Sequence, residues 1–447
     1  METEARWTVD QVLALAPDAA SRKAGARLGA PAPWTGTGAA GGALWGLCKG
    51  SGSKPYQTAV DLDGPAFRCT CPSRKFPCKH ALGLLLLWAE GGAGPVAAAA
   101  EPDWVEQWTS ARRKRTESAQ AAPPRVAGPA DPDAARRRAD RRAVRVEGGA
   151  AELEQRLADL LRGGLAGADR GSYRQWDEIA ARMVDAQAPG LAARVRELGA
   201  VAATGGDWPS RMLEETALLH LLARGFLGRE GLPGPLAETV RARIGYTVDS
   251  AELLAGPTVG GQWLVLAQYD AADDRLTTRR VWLYDEGAGR FALLLSFGAA
   301  GRAPELALPV GSLLDAELAY HPSALPLRAA LGPHGLSPAL PHSAPRGTAV
   351  APALASYGTA LADDPWLDAW PVLLSAVVPL PGPDRWQLAD AATEDALPVA
   401  TATPAAARWR LAAVSGGHPT TVFGELGPTG LRPLAVWPEG AAEPIPL

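Results

Sequence analysis

"FRCTCPSRKFPCKHALGLLLLWAEG", residues 67–91, holds three of the chain's four cysteines within ten positions, with a histidine two places after the last of them. Cys69 and Cys71 are separated by one residue. On an extended chain such positions face the same side, so both thiolates can point at one ion. Cys78 and His80 repeat that spacing where the chain turns into an apolar run, Leu82 to Ala89. Pro72 and Pro77 lie between the two pairs and favour a tight return. Three thiolates and one imidazole are a normal tetrahedral donor set for structural zinc. The set is closed, with no position for water or substrate, which argues against zinc catalysis. One structural Zn²⁺ is therefore expected on Cys69, Cys71, Cys78 and His80. A disulfide between Cys69 and Cys71 would need a strained small ring. Cys48 reads as a small buried hydrophobe and not as a fifth ligand. Arg68, Arg74, Lys75 and Lys79 surround the cluster and are expected to stabilise its thiolates.

The chain has 447 residues, 47% of them hydrophobic and 21% charged, which allows several domains with real cores. Gly (49) and Pro (40) are frequent, implying long turns and linkers. Four cysteines in so long a chain do not make a disulfide framework. A reducing, cytoplasmic setting is the expectation. The apolar runs are far shorter than the roughly 20 residues a membrane span needs. The acidic start METEARWTVD does not read as a signal peptide. Residues 1–147 carry 21 Lys and Arg against 15 Asp and Glu, whereas the rest is acidic. That asymmetry hints at an anionic partner for the first part, or at one Arg-rich linker.

The pattern along the chain predicts an α+β multidomain protein. Thr8 and Gln11 have the spacing of a capping box, opening a short helix to about residue 15; Pro17 starts a second, ending near Gly25. These fall in an N-terminal helical segment, 1–43. A small ββα zinc finger is expected over 44–90, with strands at 44–48, 56–62 and 67–71 and a buried helix at 81–89. Residues 91–149 read as an Arg-rich flexible linker with short helices at 103–115 and 133–146. Helical periodicity marks a helical domain at 150–240, with segments near 173–186, 189–199 and 211–226. His220, on an apolar helix, reads as a satisfied core histidine. From 241 to 447 the region is β-rich: "QWLVLAQYD", "RRVWLYDE" and "RFALLLSFG" suggest an antiparallel meander, and the β style is expected to continue through "RWRLAAVSGG" to the end.

Cys69-x-Cys71-x₆-Cys78-x-His80 resembles the SWIM zinc finger, whose pattern is Cys-x-Cys, a variable gap, then Cys-x-His. Over about residues 44–90 the chain resembles bacterial SWIM zinc finger proteins, and its whole layout, with "RVWLYDEGAGRFALLLSFG" as the next most similar stretch, resembles actinobacterial SWIM proteins. A composition rich in Ala, Gly, Pro and Arg fits a GC-rich bacterial genome. The resemblance implies two strands and a helix around zinc, and a role in binding DNA or protein. It also implies MoxR-type AAA ATPases or von Willebrand A-domain proteins as partners.

Three functional readings follow. In the first, the protein is an adaptor or scaffold, with Trp104 and Trp108, four apart in the linker, as an anchor for a partner. In the second it binds nucleic acid, with Arg74, Lys75 and Lys79 on the finger loop touching phosphates and the Arg runs at 112–115 and 136–145 adding a clamp. The third is an enzyme with an unrecognised site. No P-loop, Gly-x-Gly-x-x-Gly, Gly-x-Ser-x-Gly or His-Glu-x-x-His pattern supports it, so a non-enzymatic interaction protein is the favoured expectation.

Overall fold

The computed structural model describes residues 7–17, 19–50, 52, 54–62, 66–73, 75, 77–90, 96–121, 131–164, 173–201, 208–272, 276–299, 304, 306–337, 339, 341–382 and 385–447. Helix α1 (Val9–Ala14) opens on the expected capping box. The Thr8 backbone N–H donates to Gln11 Oε1 at 2.8 Å, and the Gln11 N–H donates to Thr8 Oγ1 at 3.3 Å. Helix α2 (Ala19–Ala26) follows. Strands β1 (Trp34–Ala40), β2 (Ala43–Cys48), β3 (Tyr56–Asp61) and β4 (Ala66–Cys69) then form an antiparallel meander. Helix α3 (Lys79–Glu90) lies across one sheet face and is buried from His80 to Trp88. Leu44, Val60, Leu82, Leu85 and Trp88 share a core there with Trp7, Val12 and Leu15. The approach of α3 to the chain just after α2 is close: a Cβ at Gly83 would lie 2.5 Å from Leu28 Cβ.

Two expected boundaries change. Residues 1–43 do not form a segment separate from a 44–90 finger. Strand β1 arises from the Gly- and Thr-rich stretch and pairs with β2, while α1 and α2 pack on α3. Gly36, at φ +58°, provides the irregularity that shifts the β1–β2 register between Thr35 and Gly38. The finger's sheet therefore has four strands. The linker of 91–149 also contains more order than expected. Helix α4 (Asp103–Ala121) seats Trp104, Val105 and Trp108 against Ala43, Trp45 and Ala59 on the second face of the sheet. Strand alternation explains the division, with Leu44 facing α3 and Trp45 facing α4.

Helix α5 (Pro132–Gly163) is one element of 32 residues, capped by Asp131, so the expected boundary at 149/150 falls inside it. The helices α6 (Tyr173–Asp185), α7 (Pro189–Val201), α8 (Trp208–Leu227) and α9 (Gly234–Ile244) complete the helical domain. Val146, Leu153, Leu157, Trp176, Met183, Val195, Leu222 and Phe226 fill its centre. His220 on α8 is half-buried, and its Nδ1 lacks a hydrogen-bond partner among the described residues, contrary to the satisfied histidine expected.

After the short helix α10 (Ser250–Leu254) comes a closed five-stranded barrel: β5 (Val259–Ala272), β6 (Leu276–Asp285), β7 (Arg290–Ala299), β8 (Leu313–Tyr320) and β9 (Arg328–Leu336). The expected meander holds for β5, β6 and β7. The barrel then departs from it, because β9 pairs in parallel with β7 and β8 closes onto β5. Trp263, Val265, Val281, Leu283, Ala292 and Leu294 alternate inward, and Leu308 and Val310 from the β7–β8 connection plug the interior.

The C-terminal unit comprises α11 (Val350–Asp363), β10 (Trp370–Leu380), β11 (Gln387–Asp390), β12 (Ala396–Pro398), α12 (Ala405–Ser415), β13 (Thr420–Gly427), β14 (Gly430–Trp437) and β15 (Ile445–Pro446). Its sheet runs β12-β11-β10-β13-β14-β15. The β style expected of "RWRLAAVSGG" is replaced by helix: Pro404 starts α12 and Gly416, at φ +56°, ends it. One sheet face buries α11 and α12; the other places Leu373, Phe423, Ala435 and Trp437 on the outside of the barrel. Glu425 on β13 crosses that interface. It accepts from Tyr269 Oη at 2.7 Å and from Trp282 Nε1 at 2.8 Å.

Candidate metal centre

Cys69 ends β4, Cys71 lies in the bend that follows, Cys78 precedes α3, and His80 sits in its first turn. Their donor atoms all lie within 4.8 Å of one another. His80 presents Nδ1, at 3.7 Å from Cys69 Sγ and 4.0 Å from Cys78 Sγ. A tetrahedron with bonds of about 2.0–2.3 Å has edges of roughly 3.3–3.8 Å, so the four donors reach zinc geometry by closing in by about 1 Å at the widest separation. The donor chemistry agrees, and the four side chains form a single zinc site. Cys78 and His80 are buried at 1% and 4% exposure, whereas Cys69 and Cys71 are half-buried.

The surroundings favour the charged form at one position and hold the others back. A hydrogen bond from the Cys78 thiol lowers the Cys69 pKa to about 4, with help from His80 and Thr58. Thr58 is fully buried on β3, opposite Cys69 in the register, with Oγ1 at 3.4 Å from its sulfur. The same shared hydrogen bond, burial and the Cys69 charge push Cys78 up. Burial also raises Cys71. One thiolate is thus ready, and metal binding must release the remaining protons. The Tyr56 ring leans on the imidazole at 4.9 Å between centroids, which fixes its orientation. Cys48 stands apart in the core, fully buried, its thiol raised to about 11 mainly by burial.

The basic residues divide. Arg68 faces α4, where Nη1 donates to the Trp104 carbonyl at 3.1 Å, so it does not serve the thiolates as expected. Arg74 lies outside the described residues. Lys75 and Lys79 are exposed and, with Lys49, Tyr56, Ser73, Cys71 and His80, line a recess of about 580 Å³ beside the metal site. Four of the chain's six lysines fall near this finger, and three of them, Lys49, Lys75 and Lys79, line the recess. Trp104 and Trp108 are not a free anchor, because both pack on the sheet. Of the basic runs, Arg112 pairs with Asp61 at 3.0 Å. Arg142 stacks on Tyr246 and donates to the Gly245 carbonyl, while Arg136, Arg137, Arg138 and Arg141 are exposed along α5.

No helix among the described residues is long and apolar enough to cross a membrane. Comparison with curated proteins and with solved structures gave no match. Comparison with protein families gave two. Residues 60–89, spanning all four zinc ligands, match the SWIM zinc finger, and residues 141–244, covering most of α5 through α9, match the SWIM-associated four-helix bundle domain.

Proposed function

We propose that this is a non-catalytic interaction protein whose zinc site folds a docking module, used as an adaptor or scaffold for other proteins. The closed Cys₃His donor set carries the reading: every coordination position is taken by the chain, so the metal holds shape and does not turn over substrate. The site ties the end of β4 to the start of α3 beside the lysine-lined recess. MoxR-type AAA ATPases and von Willebrand A-domain proteins, the partners implied by the resemblance, are the first to try. Titration of the purified intact chain with each should give saturable binding that chelation of zinc abolishes. Absence of binding to both removes these partners.

Nucleic acid is the second reading, favoured by Lys49, Lys75 and Lys79 around one recess. Fluorescence anisotropy across a salt series separates the two. The intact chain is compared with Arg74/Lys75/Lys79→Ala, zinc retained in both. Under the adaptor reading, binding vanishes by about 150 mM salt in both proteins. Binding that survives, with a shallower salt slope in the variant, establishes the finger as a nucleic-acid reader instead.

A further inference from the structure

Three units meet at a second cavity, of about 320 Å³, far along the chain from the zinc ligands. The barrel contributes Arg280, Trp282 and Leu293 from β6 and β7, and His321, Ser323 and Arg328 from the β8–β9 connection and the first residue of β9. The helical domain closes one side with Arg241, Arg243 and Tyr246; the C-terminal unit closes another with Asp364 and Asp368.

The location follows from the topology. The first barrel strand pairs with the second and fourth, and the third pairs in parallel with the fifth. That is the order of an OB-type Greek-key barrel, whose second and third strands and fourth connection form a recurrent ligand face. Here most of that outer face is covered by Leu373, Phe423 and Trp437 of the C-terminal unit. What stays open lies beside the fourth connection. Fold alone assigns no ligand; the side chains do.

The charges in the cavity are nearly, but not fully, matched. Arg243 bonds Asp364 at 2.6 Å and lies 3.7 Å from Asp368; Arg241 lies 3.6 Å from Glu238 and stacks on Tyr246. Arg280 has Glu425 at 3.6 Å, but that carboxylate already accepts from Tyr269 and Trp282. The Arg280 Nε is buried without a hydrogen-bond partner, as is the Arg243 Nε. Arg328 makes no ion pair among the described residues. Its side chain reaches solvent at the mouth, yet enough protein surrounds it that burial lowers its pKa. His321 beside it is held neutral, its pKa lowered to about 4 by burial and by Arg328. A guanidinium offers five donors in a planar fork suited to oxygen pairs. Among the described residues Arg328 thus has no carboxylate partner and Arg280 only a share of one, and both forks line this cavity.

We infer that this cavity binds a small ligand carrying a phosphate or carboxylate, with its oxyanion held between Arg280 and Arg328. The volume matches the low end of small-molecule sites. The helical and C-terminal units wall the cavity on two sides and hold it to about 320 Å³, which favours a mononucleotide-sized anion over a nucleic-acid strand. The ligand would touch three units at once, so binding stiffens their packing. The site is independent of the finger, and its failure would leave the proposed function standing.

Isothermal titration calorimetry on the intact chain tests this with pyrophosphate, AMP and citrate as probes, and with single-stranded oligonucleotides of increasing length. Saturable binding of pyrophosphate or AMP is expected, weakened about tenfold or more by Arg328→Ala and unchanged by Lys75/Lys79→Ala. Arg328 sits at the mouth, so its variant keeps the fold; Arg280→Gln is the second variant, and an unchanged thermal midpoint qualifies each. Binding of citrate alone, still lost in Arg328→Ala, identifies a carboxylate as the source of the oxyanion. No binding of any small probe at millimolar concentration overturns the inference. So does equal affinity in Arg328→Ala, or oligonucleotide affinity that rises with length while the small probes fail.

Discussion

The two ends of this chain are each pinned by a polar centre, and the centres are built in opposite ways. At the N-terminal end, Cys69, Cys71, Cys78 and His80 come from one short stretch and need an added ion to satisfy them. In the C-terminal half, Glu425 gathers Tyr269, Trp282, Arg280 and Arg432 from three separate strands and needs nothing beyond the chain. The first centre orders a small module whose sheet has only four short strands. The second joins two units that already have full cores of their own. A local centre is therefore exposed to chelators, acid and oxidants, whereas the distributed one is exposed only to loss of a partner.

The sharpest break comes from removing a zinc ligand. Structural zinc contributes about 10–16 kcal/mol of apparent folding free energy in isolated finger peptides. His80→Ala or Cys71→Ser should lose zinc and melt the segment from β3 into α3. The barrel and the C-terminal sheet should be untouched. Metal content per chain and hydrogen exchange across residues 56–90 check this. Full zinc retention in either variant would sink the ligand assignment.

Next in size is Glu425→Ala. It leaves the Tyr269 hydroxyl and the buried Trp282 indole N–H without their acceptor, and Arg280 without its nearest anion. Breaking such a buried pair costs about 3–5 kcal/mol. Glu425→Gln keeps one acceptor oxygen and should cost roughly 1–3 kcal/mol. Denaturant unfolding followed by tryptophan fluorescence measures both. A near-neutral Glu425→Ala would show that the apolar contacts of Phe423 and Trp437 hold the units together unaided.

The same contrast governs what could be read from the residues alone. The metal site was legible because its ligands obey a spacing rule within twelve positions. The capping box at Thr8 and Gln11 was legible for the same local reason. Strand β1 was hidden in a Gly- and Thr-rich stretch, whose extended form is stabilised by pairing with β2. Helix α4 was legible as a short helix at 103–115, but not its seat on the sheet, because its apolar stripe is just Trp104, Val105 and Trp108 and the surface that receives it lies on β2 and β3. Barrel closure rests on pairing Leu293 with Arg328, a separation no periodicity reveals. One further signal is local. Glu425 is a lone charge in the apolar run "TTVFGEL", and a charge in a buried strand needs partners.

A milder acid effect should appear at the cavity between the units. His321 has a folded pKa of about 4, below its ordinary value of 6.5, through burial and the neighbouring Arg328. The neutral imidazole is thus favoured in the fold. Its contribution is complete above about pH 6.5 and is lost as pH falls toward 4. The side chain is partly solvated, so the loss should be about 1–2 kcal/mol once screening is counted. His321→Gln should flatten that part of the stability profile. An unchanged slope between pH 6.5 and 4 would place the acid sensitivity elsewhere.

The smallest effect concerns backbone strain within the C-terminal sheet. Ala376 sits at φ +54°, where the β10–β13 register shifts between Leu374 and Val377. An L-residue with a Cβ pays about 1–2 kcal/mol there. The bulge is held because the Ser375 N–H donates to the Thr348 carbonyl, Ser375 Oγ accepts from the Gly347 N–H, and the Ala376 carbonyl accepts from the Ala391 N–H. Glycine removes the strain and adds about 0.5–1 kcal/mol of unfolded-state entropy. Ala376→Gly should therefore raise stability by up to about 1 kcal/mol, whereas Ala376→Val, branched at Cβ, should lower it. The exposed position keeps packing out of the comparison. Thermal unfolding of the pair gives two shifts of opposite sign. If glycine proves the less stable, the strain at Ala376 is smaller than the entropy it would release, and the bulge is held by its hydrogen bonds alone.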